Sequence, residues 1–543
     1  MKNLKLLGVL LASCLALTAC GGSDSSKPAA SQQAAAGQSV SQQKEITAAV
    51  ALDFTTMDPM DTSDTLSGGI QRMVMDGLFG FDDNMKVYPM LASGYKANDN
   101  ATEYTITLRK GIKFTDGTDW NADAALANFK KWADKSLGLK RTTFLSGVLQ
   151  SFEKVDDYTI KVTLNKPFGA FINNLAHPCC VIMSPKQIAA GPETCAKAPV
   201  GTGQYKFVEW VPGDHLTLEL NKDWWGFNAE INGGKALAEK DAGFKKITFK
   251  PVLEDATRVA MLQSGDAQII WPVPTENMET LKGDKNVAVN QAEGIVVRYF
   301  VMNTQKKPFN DLKVRQALNY GIDKDAYVKV VRNGLASVAT SIDGPAVQYY
   351  KKNEPVKYDV EKAKALLKEA GYPDGFTTTL MYPNNTLNQK QAEFFKQQLA
   401  KIGVNLELKG MESAILNQKV QGARVPGAQA EVDCYLSGWS SSTGDSDWAI
   451  RPLVSKESEP PMSYNISYFE NDELEGYIAA GLGSADDNIR KEAYAKAQDL
   501  IWQQVPMVFL ANDFNTWATG SKVSNVKILP DGAINMKNAR MSN

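Results

Sequence analysis

Hydrophobic and polar positions change their period several times along this chain. Residues 45–52 read as a β-strand and lead into a turn around Met57-Asp58-Pro59; a helical spacing follows at 66–75 and stops near Gly77. Alternation returns at 104–108 (Tyr-Thr-Ile-Thr-Leu), 159–164, 205–210 and 216–220, each predicting a half-buried strand. Residues 121–135 predict a helix, and Gly201-Thr202-Gly203 marks the turn before 205–210. The second half has another texture. Strong helical periods cover 311–321, 360–370 and 388–402, with Gly371 as the C-cap of the second and Pro373 just beyond it. Short β-like runs follow at 377–380 and 404–408; a last helix is predicted at 493–504 and a buried strand at 507–510. Helix and strand in alternation predict α/β lobes.

The first 43 residues follow other rules. Lys2 and Lys5 precede an apolar run at 6–17, too short to span a bilayer, so it reads as an export signal. Leu17-Thr18-Ala19-Cys20 resembles the bacterial lipobox, which makes Cys20 the acylated first residue after cleavage of 1–19; the alternative is an ordinary signal with an incidental cysteine. Residues 20–43 are rich in Gly, Ser, Ala and Gln, which suits a flexible tether.

The body beyond residue 44 is too long for one core, so two or three domains are expected. With 59 basic and 61 acidic residues and no basic block, nothing supports nucleic-acid binding. Beyond Cys14 and Cys20 stand Cys179, Cys180, Cys195 and Cys434. In an oxidising compartment a bridge would close the short loop from Cys195 to Cys179 or Cys180, with Cys180–Cys195 as the candidate disulfide; the alternative is four buried thiols. Their spacing matches no common zinc pattern.

Enzyme chemistry is poorly represented. Only His177 and His215 are available as imidazole bases, and no His-Glu-x-x-His, phosphate-binding or Gly-x-Ser-x-Gly motif occurs. Gly444-Asp445-Ser446 is similar to the opening of one esterase family, but that chemistry wants a late histidine, and none follows His215. The expectation is a binding protein with no catalytic residues, cofactor or metal, and a hydrolase is the remote alternative. The run 438–448 (Gly-Trp-Ser-Ser-Ser-Thr-Gly-Asp-Ser-Asp-Trp) concentrates hydroxyls, carboxylates and two indoles. These types can meet a ligand's charged ends and flat faces, or simply cap a helix.

Four stretches then carry a family resemblance: 108–118 (Leu-Arg-Lys-Gly-Ile-Lys-Phe-Thr-Asp-Gly-Thr), 199–205 (Pro-Val-Gly-Thr-Gly-Gln-Tyr), 314–323 (Val-Arg-Gln-Ala-Leu-Asn-Tyr-Gly-Ile-Asp) and 363–376. In this order they resemble the peptide/nickel-type solute-binding proteins (family 5) of ABC importers. Residues 54–59, 171–178, 438–448 and the Arg298-Tyr299 pair are most similar to glutathione-binding members. The resemblance implies a periplasmic-binding-protein type II-like α/β fold. Its first lobe would be 44–88, 199–304 and 514–543, its inserted second lobe 89–198 and its third 305–513, hinged on two strands crossing near Asn303 and Phe514. It also implies a monomer, membrane-bound by its lipid alone, that passes a peptide-like ligand to permease subunits.

Departures from dipeptide binders sharpen the ligand. Ser442 stands where those proteins hold the ligand ammonium with an aspartate, and 382–388 lacks their carboxylate-binding arginine. Glutathione is therefore the expected ligand, with other short peptides, a metal chelate or haem as alternatives. The expected binding residues are Thr56, Arg141, Trp271, Arg298, Tyr299, Arg424, Trp439, Ser442, Thr443, Asp445 and Asp447. Arg298, then Arg141 and Arg424, would grip carboxylates; Asp445, then Asp447, would take the ammonium; Trp271 and Trp439 would be walls.

Overall fold

The computed structural model describes residues 45–62, 64–238 and 241–542. Cys20, its lipobox and the tether lie outside the described residues.

Two long antiparallel strands, Val287–Met302 and Met507–Gly520, organise the fold. Their first stretch of pairing, 287–293 with 514–520, continues through Ile269–Trp271, Glu45–Val50, Lys246–Pro251, His215–Leu220 and Tyr205–Val211. Their second stretch, 297–302 with 507–512, continues through Cys434–Ser440, Phe376–Pro383 and Val404–Met411. One mixed sheet of eleven strands results, with Ala336–Val338 pairing alongside the second long strand. The register shifts between Glu293 and Val297. Gly294 lies in that break, where a Cβ would stand 2.7 Å from the Asp513 carbonyl oxygen. A residue with a side chain would force the strands apart here.

Helices cover both faces beyond the break, so side chains there are buried alternately on two sides. Phe300 and Met302 join Leu380, Leu436 and Leu510 in one core under helices Leu312–Gly321, Val360–Glu369 and Thr386–Ala400. Tyr299 and Val301 join Met381, Tyr435 and Phe509 in the opposite core, under Ser413–Gln421, Asp447–Val454, Asp472–Leu482 and Asp487–Gln504. A separate four-stranded antiparallel sheet runs in the order Ala92–Ala97, Glu103–Leu108, Thr159–Leu164, Leu149–Asp156. Tyr104, Ile106 and Leu108 point from it into a core with Trp120, Phe129, Trp132 and Phe171. Burial of each such side chain contributes about 1.5–3 kcal/mol.

Most predicted elements form, and the differences have physical causes. Thr386–Ala400 begins two residues before the expected 388 because Asn385 accepts from the Asn388 N–H as N-cap. Asp487–Gln504 begins six residues early because Asp486 caps the N–H groups of Asn488 and Ile489. Met507–Gly520 runs ten residues past the predicted end: its polar members Asp513, held by Arg298 and Arg332 at 2.7 Å, and Thr516, which donates to the Val273 carbonyl at 3.3 Å, find side-chain partners. The expected Cys180–Cys195 bridge is not formed. Cys179, Cys180, Cys195 and Cys434 are all free and buried, and Cys180 and Cys195 sit in different cores. Cys195 donates its S–H to the Gln187 carbonyl at 3.7 Å.

Candidate binding cleft

A cleft of about 680 Å³ opens between residues of 59–72, 140–148 and 166–179 on one side and 439–464 on the other. That size suits a small-molecule ligand. The first wall is built on a buried ion pair. Asp58 is gripped by Lys131 through both carboxylate oxygens at 2.7 Å, and Asp58 also caps the short turn Pro59–Asp61. Gln71 donates from its amide to the Thr56 carbonyl at 3.0 Å and to Thr62 Oγ1 at 2.7 Å, tying that turn to helix Thr65–Val74. Asp64 begins this helix as N-cap, accepting from the Ser67 N–H at 2.7 Å. Asp64 lines the cleft, and no lysine or arginine among the described residues pairs with it.

Arg141 is positioned by backbone. Its N–H donates to the Met60 carbonyl at 2.8 Å, and its Nε donates to the Thr62 carbonyl at 3.1 Å. The terminal guanidinium nitrogens find no carboxylate partner among the described residues, and the side chain lines the cleft. The other cleft arginines are engaged: Arg72 with Asp531 at 2.6 Å, and Arg451 with both oxygens of Asp447 at 2.9 and 2.7 Å.

Aromatic rings close one end. His177 lies 4.8 Å from Phe144, Phe144 lies 5.4 Å edge-on to Trp448, and Trp439 packs on Tyr464 at 4.9 Å. Trp439 Nε1 donates to the Trp448 backbone carbonyl, which fixes the Trp439 indole. At the floor, His177 Nδ1 accepts the Cys179 backbone N–H at 3.1 Å. That leaves the proton of the neutral ring on Nε2, from which it donates to Ser442 Oγ at 3.1 Å.

The expected site residues separate accordingly. Arg141, Trp439 and Ser442 line the cleft. Thr56 and Thr443 are buried behind it: Thr56 Oγ1 accepts from the Asp58 N–H at 3.1 Å, and the Thr443 carbonyl accepts from Asn173 at 3.3 Å. Neither loop carboxylate is free for an ammonium. Asp445, fully buried, is held by Arg490 through both oxygens at 2.9 Å, and Asp447 by Arg451. Burial raises the Asp445 carboxyl, against the lowering charge of Arg490. These are the capping and pairing roles open to any Ser/Asp-rich loop.

The remaining four lie elsewhere. Trp271 is packed in the core with Phe54 and Phe249. Tyr299 lines a separate cavity of about 170 Å³ with Ser437 and Tyr435. Arg298 is spent on Asp513 at 2.7 Å, which Arg332 also holds at 2.7 Å. Arg424 is exposed on a loop and lines neither cavity. Asp64, Phe144, Cys179 and Tyr464 were not expected. The N-cap position of Asp64 ahead of a periodic helix was readable, whereas the convergence of the others depends on distant segments.

Against known proteins, the model of the bacterial extracellular solute-binding proteins, family 5 Middle, matches residues 86–460. A glutathione-binding protein GsiB of Salmonella typhimurium is 38% identical over 497 residues, covering 91% of this chain and 94% of that one. The Escherichia coli GsiB is 37% identical with the same coverage. Among solved structures, HbpA2 from Haemophilus parasuis superposes with a TM-score of 0.80 at 27% identity, over 92% of this chain and 100% of its own. The Helicobacter pylori ABC transporter-associated periplasmic binding protein DppA, in complex with the peptide STSA, superposes with a TM-score of 0.72 at 28% identity, over 92% and 98%.

Proposed function

This chain belongs to the bacterial extracellular solute-binding proteins of family 5, the proteins that deliver solutes to ABC importers, and on that premise we propose that its solute is glutathione or a close γ-linked peptide. The observation that carries the ligand is the pairing of unspent charges in one cleft. Arg141 offers a guanidinium without a carboxylate, and Asp64 offers a carboxylate without a cation. A peptide zwitterion satisfies both. Arg141 takes a ligand carboxylate in its planar fork, Asp64 takes the ammonium, and Trp439, Trp448 and Tyr464 cover the apolar stem. Lys166, exposed at the same cleft, serves a second carboxylate. Two or three such bonds in a closed cleft, together with the apolar contact, account for about 8 kcal/mol, a micromolar dissociation constant.

The protein is a transport module without catalytic turnover. It is anchored through lipid on Cys20 and works as a monomer. Its lobes are 44–88 with 199–304 and 514–543, then 89–198, then 305–513. They close about the two long crossing strands, a hinge motion that buries the ligand.

Calorimetric titration of the ligand-stripped protein with reduced glutathione, glutathione disulfide and a mixed dipeptide set tests the ligand. Micromolar binding of a glutathione form with silent dipeptides supports it. Binding of dipeptides alone reassigns the solute and leaves the transport role standing.

A further inference from the structure

The cleft floor carries a nucleophile that solute capture does not require. Cys179 lines the cleft, and its Sγ lies 3.1 Å from His177 Nδ1, within the reach of a base for its proton. Cys180 Sγ is 3.7 Å from Cys179 Sγ on the buried side, and Cys180 is fully buried. His177 is itself held from its far nitrogen by Ser442 Oγ. Cys179, His177 and Ser442 therefore form a line from thiol to base to orienting hydroxyl, brought together from segments 265 residues apart. Burial opposes ionisation of the Cys179 thiol. The S–H bond from Cys180, the imidazole of His177 and the charge of Arg141 outweigh it and hold the thiol well below its ordinary range. Cys180 moves the opposite way, raised by burial and by its neighbour. The pair is thus asymmetric: one thiol is activated and belongs to a residue that lines the cleft while only 3 % exposed, and the other is fully buried and supports it.

We infer that Cys179 is a thiol–disulfide exchange site for the disulfide form of a cysteine-containing peptide bound in the cleft, a step that rests on the ligand reading above. The Cys179 proton passes to His177 Nδ1, which releases the Cys179 backbone N–H as it takes the proton, and Sγ attacks one sulfur of the ligand disulfide. A bond forms between Cys179 Sγ and that sulfur, the ligand S–S bond breaks, and the leaving thiolate takes the proton from His177. One peptide half stays on Cys179 as a mixed disulfide and the other leaves as a thiol, so the ligand is the only oxidant needed. The event is stoichiometric. It distinguishes the oxidised ligand from the reduced one, which has no disulfide to attack. Ser442 acts as a positioning residue through His177.

The test is intact-mass analysis of the protein after incubation with glutathione disulfide under non-reducing conditions, followed by peptide mapping. One glutathionyl group per chain is expected, on Cys179, released by dithiothreitol and matched by one equivalent of free glutathione. Its rate should saturate with disulfide concentration. Cys180→Ser should still be modified at Cys179, and His177→Gln should react roughly a hundredfold more slowly. S-methylglutathione, which cannot exchange, is titrated in parallel. Calorimetric binding of S-methylglutathione or glutathione disulfide without any mass change overturns the exchange site and leaves the ligand reading intact. Modification at Cys195 or Cys434 instead, or a rate rising linearly without saturation, also overturns it. Failure of both probes to bind removes the ligand reading and the exchange site together.

Discussion

Asp343 Oδ2 lies 2.6 Å from Ser446 Oγ, and that hydroxyl is also 2.8 Å from the Gln348 carbonyl. The hydroxyl has one proton for two acceptors. When it donates to the carbonyl, the bond to Asp343 needs a proton from the carboxyl side. Charge counting agrees: Asp343 is buried with Asp445 and Asp447, whereas among the described residues only Arg490 and Arg451 pair with members of this group. Burial, with those two neighbouring carboxylates, pushes the Asp343 carboxyl up to about 8. The loop carrying Ser442 thus rests on a carboxylic acid that is protonated at neutral pH.

Stability should therefore depend on pH through Asp343. The folded chain keeps this proton up to about pH 8, whereas the unfolded chain loses it near the ordinary value of about 3.9. The resulting stabilisation is full below pH ~4 and is lost as pH rises through 8. Asp343→Asn, whose amide can donate to Ser446 in place of the acid, should gain on the parent protein between pH 5 and pH 8. Thermal unfolding at both values measures it, and an equal difference at both would refute the assignment.

Arg490 should be far more costly to remove than a surface arginine. Arg490→Met leaves Asp445 buried without its partner, a loss of about 3–5 kcal/mol. Denaturant unfolding of Arg490→Met beside Arg424→Ala, where the side chain is exposed, gives the comparison. Similar midpoints for the two would show that Asp445 does not depend on the pair.

Arg141 and Arg298 should behave differently. Arg141→Ala should weaken binding of a carboxylate-bearing peptide by about tenfold or more, since a charged hydrogen bond contributes roughly 1.5–3 kcal/mol. Arg298→Ala frees Asp513 from one of its two arginines and should act on unfolding temperature, with affinity within a few-fold. Titration and melting of both variants decide it; a large affinity loss in Arg298→Ala alone would return that residue to the ligand.

Asp64→Asn should keep the helix cap, because an asparagine oxygen accepts the Ser67 N–H as well. Loss of ligand affinity without loss of helix stability would then isolate the ammonium contact. An unchanged affinity would move that contact elsewhere.

Local order was legible in the sequence wherever one segment decides its own conformation. The periods at 311–321 and 360–370 became Leu312–Gly321 and Val360–Glu369, and Gly371 takes a φ of +89° beyond the second. An apolar stripe and a terminal glycine need no distant partner to act. Family membership was legible for the same reason, since its motifs are contiguous. Val287–Met302 was not predicted as a strand: Asn290, Gln291, Glu293 and Gly294 interrupt its apolar pattern, and that stretch gains its strand character from pairing with Met507–Gly520.

Site chemistry divided differently. The sequence showed that Arg141, Trp439 and Ser442 are types suited to a peptide ligand, and that Asp445 and Asp447 carry charge. Which charges stay free was decided by tertiary pairing. Arg490 and Arg451 neutralise the two loop carboxylates, Asp513 occupies Arg298, and Arg141 alone keeps a guanidinium open to the cleft among the arginines expected to bind. A residue's formal charge is a property of its side chain. Its availability depends on whether the fold brings an opposite charge within about 4 Å in a medium of low dielectric.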